Sequence, residues 1–489
     1  MLLSTSSFSL SKFLESKISA QNVSAIEINW GIKLQLNSAH QWRMQHNQYG
    51  SKQWLESARF LARESGAIAW QLANYYKVDA KEHPLTYRNH HYWLQQAIAL
   101  NNADALLFQA SQFAGANDYE QASQLLQRVD NDTGLIEKIL FEVKFGDLDR
   151  AQQNLSTLAE LTSTDAQAEY ALISEQLNRY QVITQRQSIS MLSANERSNC
   201  RYTMQFFASN IEDLKQIEDK LTNISTNSFF QQQFCFAVPK YINPQVLDCE
   251  HKNNKRINCQ QLAFSDMNID DSVRYIGVVA PSGGAYVDLG MLFIDNNDDR
   301  QVIEHELLHL IGFIDEYPLP PLHSVCQSAD NTALANNIVK LDTERLVGQN
   351  GDGSRRVRKA ILDVLPWRDQ IHDSTPLTQV IQGQLVVGTP DDYRGQIGVF
   401  SAQTCNAQNI NTFKPTLSAT QMQYFEENLP KVYQQLVAKN DYIMPSYHYN
   451  IAMKYKMLGM SKMAYVWKDK AVTFEKDVRR IDRIDKFIF

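Results

Sequence analysis

The placement of the cysteines most constrains how this chain can fold. All of them lie between residues 200 and 405, and the stretches 1–199 and 406–489 contain none. They are Cys200, Cys235, Cys249, Cys259, Cys326 and Cys405. An even count confined to one segment predicts a disulfide-bearing domain between two cysteine-free regions. Disulfides favour a periplasmic or secreted protein, with free buried thiols in a cytosolic protein as the alternative.

One pairing can be expected from the sequence. Cys249 and Cys259 flank a short polar loop, 250–258, so we expect a disulfide between them. The N-terminus does not add to the argument for export. Residues 1–10 are apolar but include four serines and follow no basic residue, which is not typical of a signal peptide.

Composition excludes several classes of protein. The chain has 489 residues, of which 44% are hydrophobic and 21% charged, with a formal net charge of −7. These values are typical of folded globular proteins, and the length suggests several domains. No run of about 18 apolar residues exists, so we expect no transmembrane segment. The acidic balance and the lack of a long basic run argue against nucleic-acid binding.

A recurring helical pattern occupies the N-terminal third. The pattern Trp-Leu-x-x-Ala-x-x-Leu begins at Trp54 and again at Trp93, and the spacing of its Trp and Ala returns at Trp467. A small Ala lets two helices approach closely, and the aromatic residue fills the groove beside it. The pattern resembles tetratricopeptide and Sel-like repeats, which stack into an α-helical solenoid and whose concave face typically binds a protein partner. A plain helical bundle is the alternative.

After about residue 190 the residue pattern changes from helical to one that predicts alternating strands and helices. We expect a helix near 211–221 and strands over 201–207, 234–238, 274–280 and 285–294. This pattern predicts an α/β (α+β) domain that coincides with the cysteine-bearing segment. The predicted organisation is therefore an N-terminal segment at 1–35, a helical repeat domain at 36–190, a catalytic domain at 196–440 and C-terminal repeat-like helices at 441–489.

The motif that carries chemistry is His305-Glu306-x-x-His309. At four-residue spacing the two imidazoles lie on one helix face, where both can bind one zinc ion. Glu306 is rotated by about 100° from His305, so it lies beside the metal and can act as the general base. Chance occurrence of this motif in an apolar helix is low, and buried His and Glu side chains need partners that a metal provides.

A zinc site needs a third protein ligand. Asp315 lies three residues after Gly312, at the spacing of a metzincin motif in which Asp replaces the last His. If the helix ends at Gly312, the chain can reverse and bring Asp315 to the metal. Two alternatives are Glu316 and a distant carboxylate such as Glu344, as in gluzincins.

The segment resembles a known family. The Asp-Glu-Tyr that ends at Tyr317, after a glycine turn, is similar to the motif of IgA-peptidase-type zinc metallopeptidases. Further similar segments are Pro366-Trp367-Arg368, Gly398-Val399-Phe400, Phe413-Lys414-Pro415 and Met422. The resemblance spans about 200–430 and implies a zincin-like fold. It also implies a methionine turn beneath the zinc, for which Met422 is favoured over Met444. The glycine stands one residue nearer the second His than in that family.

Together these observations predict a zinc endopeptidase that acts on a protein or peptide substrate. His305, His309 and Asp315 are the predicted zinc ligands, and the sheet edge near 285–294 is expected to bind substrate as an extended strand. The main alternative is a repeat-based binding protein whose zinc helix is structural or vestigial. The second is a gluzincin-type peptidase. The other histidines are expected to serve packing, although His323 lies close enough to reach the cleft.

Overall fold

A computed structural model describes residues 3–77, 84–116, 118–129, 132–183, 200–249, 256–342, 344–346, 354–437, 442–475 and 481–482. The chain divides into two compact units, Met1–Glu175 and Gln176–Phe489. The predicted change of domain at 190–196 falls outside the described residues, and the predicted boundaries stay predictions.

In the described residues of the first unit, every regular element is a helix. Its helices are α1 (Leu3–Ser19), α2 (Ala25–Lys33), α3 (Asn37–Gln45), α4 (Lys52–Leu61), α5 (Gly66–Lys77), α6 (Pro84–Ala99), α7 (Ala103–Gly115), α8 (Tyr119–Gln127), α9 (Asp132–Phe145), α10 (Leu148–Glu160) and α11 (Thr164–Arg179), which runs into the second unit. Polar caps start several of them; Asn102, for example, accepts a hydrogen bond from the third residue of α7.

The Trp and Ala residues of the repeated pattern pack in one hydrophobic core. Trp54 and Ala58 of α4 and Trp93 and Ala97 of α6 are buried in the same hydrophobic cluster. The alanines are fully buried, so their size sets how closely the helices approach. The predicted helical region is therefore confirmed, whereas its classification as a solenoid stays a prediction.

A five-stranded mixed sheet organises the second unit. Its strands are β1 (Tyr202–Ala208), β2 (Phe234–Tyr241), β3 (Val273–Ala280), β4 (Tyr286–Asp288) and β5 (Met291–Asp295), in the order β2-β1-β3-β5-β4. The first three pairings in this order are parallel, and β4 alone pairs antiparallel, at the edge. All of β3 is buried, which fits a central strand covered on both faces.

The prediction of one strand over 285–294 is wrong, because the chain reverses within it. Leu289 and Gly290 both adopt positive φ, and β4 and β5 are the two arms of the resulting hairpin. Gly290 also packs so closely on the backbone of Pro445 that a Cβ atom would lie 2.5 Å from its carbonyl oxygen. An apolar run alone does not reveal such a reversal.

Further short elements complete the second unit. Its helices are Ile211–Ser225, as predicted, then Ser228–Gln233, Pro244–Leu247, Arg300–Leu310, Ser354–Val364, Lys431–Leu436, Tyr447–Met457 and Ser461–Val472. The remaining strands are β6 (Thr332–Ala333), β7 (Val339–Lys340), β8 (Thr378–Ile381), β9 (Gln384–Val387), β10 (Phe400–Ala402) and β11 (Thr412–Lys414). They form an antiparallel sheet of order β10-β11-β7-β6 and a β8–β9 hairpin.

Every cysteine is paired in this unit. The disulfides join Cys200 to Cys235, Cys249 to Cys259 and Cys326 to Cys405. The predicted Cys249–Cys259 pairing is confirmed. Three disulfides are compatible with an extracellular or periplasmic location. Among the described residues, no helix is both long and apolar enough to cross a bilayer.

The C-terminal helices share the core of the sheet. Tyr447, Ile451 and Ala452 are buried in the same cluster as Ile276 and Val278 of β3. In addition, Arg274 of β3 forms a buried ion pair with Glu475, with 2.7 Å between guanidinium nitrogen and carboxylate oxygen. The segment predicted as C-terminal repeat-like helices therefore lies in the compact unit that contains the sheet.

Candidate metal centre

The helix that carries the His-Glu-x-x-His motif, here called the motif helix, spans Arg300–Leu310 and follows β5. Its N-cap is Asp299, whose carboxylate accepts hydrogen bonds from the backbone of Gln301 and Val302. Nearly every residue from Ile303 to Leu310 is buried. The helix is thus held as part of the core, and the motif cannot be a solvated surface pattern.

Gly312 ends the motif helix and turns the chain. Its φ of +94° is in the left-handed region, and a Cβ atom there would lie 2.7 Å from the carbonyl carbon and oxygen of Tyr442. Gly312 N donates to His309 O and Phe313 N to Leu308 O, the pair of bonds that defines a Schellman cap. This turn directs the following residues back along the motif helix, as the spacing predicts.

The two imidazoles are oriented by backbone carbonyls on their outer sides. His305 Nδ1 lies 2.7 Å from Gln421 O, and His309 Nδ1 lies 3.0 Å from Phe313 O. Because a carbonyl oxygen only accepts, each Nδ1 carries a proton, so that a ring in its neutral form would have its lone pair on Nε2, the inner nitrogen. This outer-shell arrangement is common around metal-binding histidines.

Asp315 meets both histidines on their inner sides. Its Oδ1 atom lies 2.9 Å from His305 Nε2 and 3.3 Å from His309 Nε2. The structure thus brings together all three predicted ligands. His305, Glu306 and His309 also form a group that could hold a metal ion, with one ligand atom each within 4.8 Å of the others. Of the two carboxylates, Asp315 is the better placed, because a single oxygen faces both Nε2 atoms.

Glu306 is buried with one oxygen unused. The residue is 6% exposed, and within the described part of the chain its Oε2 atom has no hydrogen-bond partner. Burial raises the pKa of Glu306, whereas His309 and His305 act in the opposite direction. A buried polar atom without a partner costs free energy, so the residue fits a role toward a bound water or metal.

Electrostatics couple the carboxylate and the imidazoles. Burial lowers the pKa of His309, but the Asp315 carboxylate outweighs burial and raises that pKa to about 9. Burial raises the pKa of Asp315, yet His309 and His305 outweigh it and hold that pKa below its usual range. The Asp315 carboxylate and the two imidazoles thus attract one another at the place where a divalent cation would bind.

Met422 follows Gln421, the residue whose carbonyl orients His305. It is fully buried, its carbonyl accepts a hydrogen bond from Glu316 N at 2.9 Å, and the preceding carbonyl of Gln421 holds His305. Met444 lies elsewhere, with its amide bonded to Leu310 O at the end of the motif helix. Of the two methionines, Met422 therefore has the more direct link to the histidines.

The other candidate ligands do not face the imidazoles. Glu316 is 1% exposed and its carboxylate accepts from Lys414 Nζ at 2.7 Å and from Thr420 Oγ1 at 2.9 Å. Glu344 is exposed, and in the described residues no hydrogen bond or ion pair joins it to either motif histidine. His323 likewise makes no bond to them, and burial, followed by Arg256, lowers its pKa.

Sequence reasoning missed the residues that hold the centre from a distance. Gln421 orients His305, and Phe425 packs edge-on against the same imidazole, with 4.8 Å between ring centroids. Lys414 neutralises Glu316 next to Asp315. Only the downstream similarity around Lys414 and Met422 pointed toward this region, since a backbone carbonyl leaves no signature in residue type.

Comparison with protein-family models and with curated proteins finds no match to this chain. The resemblance to IgA-peptidase-type enzymes therefore stays a prediction. What the geometry itself establishes is a group of two buried residues, His305 and Glu306, and the half-buried His309 that could hold a metal ion.

Proposed function

We propose that the protein is a zinc-dependent endopeptidase of zincin-like fold, similar to the IgA-peptidase-type enzymes. His305, His309 and Asp315 hold the metal, and Glu306 is the general base. The main support for the proposal is that one oxygen of Asp315 lies 2.9 Å from His305 Nε2 and 3.3 Å from His309 Nε2. Two imidazoles and one carboxylate are a common donor set of catalytic zinc, which leaves a further position open to substrate.

Zinc supplies Lewis-acid chemistry, which makes water a stronger acid and polarises a carbonyl group. Glu306 accepts the proton of the attacking water and later donates it to the leaving amine. Its burial raises its pKa, which favours such two-way proton transfer near neutral pH. Gln421 and Phe313 keep the two imidazoles in the tautomer that presents Nε2 inward.

The edge strand β4 is the proposed place for the peptide chain. Among the described residues, β4 pairs with β5 alone in the sheet, and Arg256 bridges to Gly284 just before it. The outer side of Tyr286 and Val287 is the proposed site of strand addition. The carbonyl of Asp288 already accepts a hydrogen bond from Asn450 at 3.0 Å, so an added strand could not pair with that carbonyl. An extended substrate would thus lie along β4 with its scissile bond beside the motif helix.

The experiment that tests the proposal combines metal analysis with a general protease assay. We expect the zinc-loaded protein to hydrolyse denatured casein and Glu306→Gln to lose at least about 1,000-fold of that rate while retaining zinc. Glu344→Gln is the control, because a gluzincin site would lose zinc and activity in that variant. Full activity of Glu306→Gln would refute the mechanism. Bound zinc without hydrolysis by the wild type would favour a structural zinc site.

A further inference from the structure

A cavity of about 480 Å³ lies beside the first half of the motif helix. Asp299, Arg300, Gln301 and Glu304 form its helical wall. Residues three and four positions apart share a helix face, so positions 301, 304 and 305 lie on the same side of the helix. The wall of the cavity therefore continues directly into His305.

The cavity and the candidate metal centre share further residues. Gln421 lines the cavity, and its carbonyl is the hydrogen-bond acceptor of His305 Nδ1. Phe425 also lines it and packs against the His305 ring. An extended peptide advances about 3.3 Å per residue. A peptide cleaved at the metal would therefore place a side chain one or two residues from the scissile bond at this cavity.

Carboxylates dominate the charged lining. Asp299, Glu304, Glu426 and Glu427 contribute four, against the single guanidinium of Arg300. That guanidinium is already paired, with 2.7 Å between its Nε and Glu304 Oε1. Neither Glu426 nor Glu427 forms an ion pair within the described part of the chain, so both remain free to meet a cation.

The rest of the lining suits a long hydrocarbon stem. Three aromatic residues, Phe229, Phe230 and Phe425, are among those that line the cavity. Arg and Lys side chains combine an apolar stem with a charged head, pack on aromatic faces and pair with carboxylates. A cavity of this volume lies in the range of ligand pockets, about 300–1,000 Å³, and has room for either side chain.

We propose that this cavity selects substrates with an Arg or Lys side chain one or two residues from the scissile bond. The inference rests on the proposed peptidase function and names its substrate class. An acidic side chain at the same place would meet Glu426 and Glu427 and be rejected by like-charge repulsion.

The first test maps cleavage sites in denatured proteins by mass spectrometry, using the full-length zinc-loaded protein. We expect Arg and Lys to be enriched at least about fivefold at one position near the cut bond, since solvent-exposed ion pairs are individually modest. The double variant Glu426→Lys, Glu427→Lys should abolish this enrichment. The matched control Asp391→Lys, Asp392→Lys reverses two adjacent exposed carboxylates that do not line the cavity, and should keep it.

The second test separates binding from hydrolysis. Labelled pentapeptides with a central Arg, Leu or Glu among alanines are titrated into the Glu306→Gln variant. We expect the Arg peptide to bind most tightly, and the charge-reversed double variant in the same background to prefer the Glu peptide. Equal affinities for the three peptides would overturn the inference even if the wild type is a protease. Preferential Arg binding without wild-type hydrolysis would support the cavity and refute the peptidase function.

Discussion

At the scale of single residues, the candidate centre depends on a turn that only glycine can make. Gly312 lets the chain reverse, and Asp315 then reaches both imidazoles three residues later. The spacing in the sequence predicted this reversal, since a glycine after the last helical turn is the usual cap. The spacing does not explain why no other residue fits at position 312. The reason is that Gly312 packs against the backbone of Tyr442, which is distant in the sequence.

Gly312→Ala should therefore destabilise the second unit by about 2–4 kcal/mol, which combines a strained positive φ with steric overlap. Gly383→Ala is the matched control. Gly383 also has a positive φ, but a Cβ atom there would meet nothing within 4 Å, so only about 1 kcal/mol is expected. Urea unfolding of both variants measures the difference. Equal losses would show that the contact with Tyr442 is unimportant.

Asp315→Ala should lower zinc affinity by more than about 100-fold, because loss of even an outer-shell partner costs 10–100-fold. Competition with a chelator measures the dissociation constant, and circular dichroism checks that the fold is retained. Asp391→Ala, at an exposed carboxylate, serves as the control. Unchanged zinc binding in Asp315→Ala would move the third ligand elsewhere.

At the scale of elements, apolar runs and periodicity predicted the longer strands and helices of the second unit. The strands β1, β2 and β3 and the helix Ile211–Ser225 lie close to their expected positions. The strands β6 to β11 were not predicted, because two to four residues give no period to detect. Met422 was expected near the site from the resemblance, but the contact of Gln421 with His305 was missed, for a different reason. The imidazole of His305 bonds to a backbone carbonyl of a distant segment, and a carbonyl group is present in every residue type.

The buried pair of Glu316 and Lys414 ties these elements together, and its loss should be felt in both stability and metal binding. Lys414→Met leaves a buried carboxylate without its cation and should cost about 3–5 kcal/mol. Zinc affinity should fall about tenfold as the 421–422 segment loosens. Arg179→Met removes an exposed pair with Glu218 in the same unit and should cost less than about 1 kcal/mol. Similar losses in the two variants would contradict this account.

At the scale of the whole molecule, the second unit is completed by its C-terminal helices. Tyr447 and Ile451 belong to the core cluster of the sheet, and Arg274 pairs with Glu475 across it. The helical echo at Trp467 predicted the helices but not their place, because the same Trp–Ala spacing fits packing on a sheet as well as on another repeat. The disulfides were likewise predictable only where they are local. The sequence predicted the Cys249–Cys259 pairing across a short loop but neither of the other two.

His448 makes this C-terminal packing sensitive to acid. It is 5% exposed between Tyr447, Trp467 and Phe474, and burial, with smaller effects of Lys470 and Arg274, lowers its pKa to about 3. Above pH 6.5 the ring is neutral in both the folded and the unfolded state. Between pH 6.5 and 3 only the unfolded state takes up the proton, so the free energy of unfolding should fall by up to about 1.4 kcal/mol per pH unit.

Urea unfolding at several pH values tests this, with the difference between the wild type and His448→Phe isolating one residue from the titrating carboxylates. The variant should show a flatter dependence below pH 6.5. His372→Phe, at an exposed histidine, should leave the slope unchanged. A His448→Phe slope equal to that of the wild type would refute the assignment.

The order of the chain has a consequence for biosynthesis. The two motif histidines are synthesised well before the carbonyl of Gln421 that orients His305 and before Met444, whose amide caps Leu310 at the end of the motif helix. A nascent chain that has reached only the motif thus has its imidazoles but lacks the groups that aim them. The arrangement of the two imidazoles described above therefore requires that residues through Met444 have emerged from the ribosome.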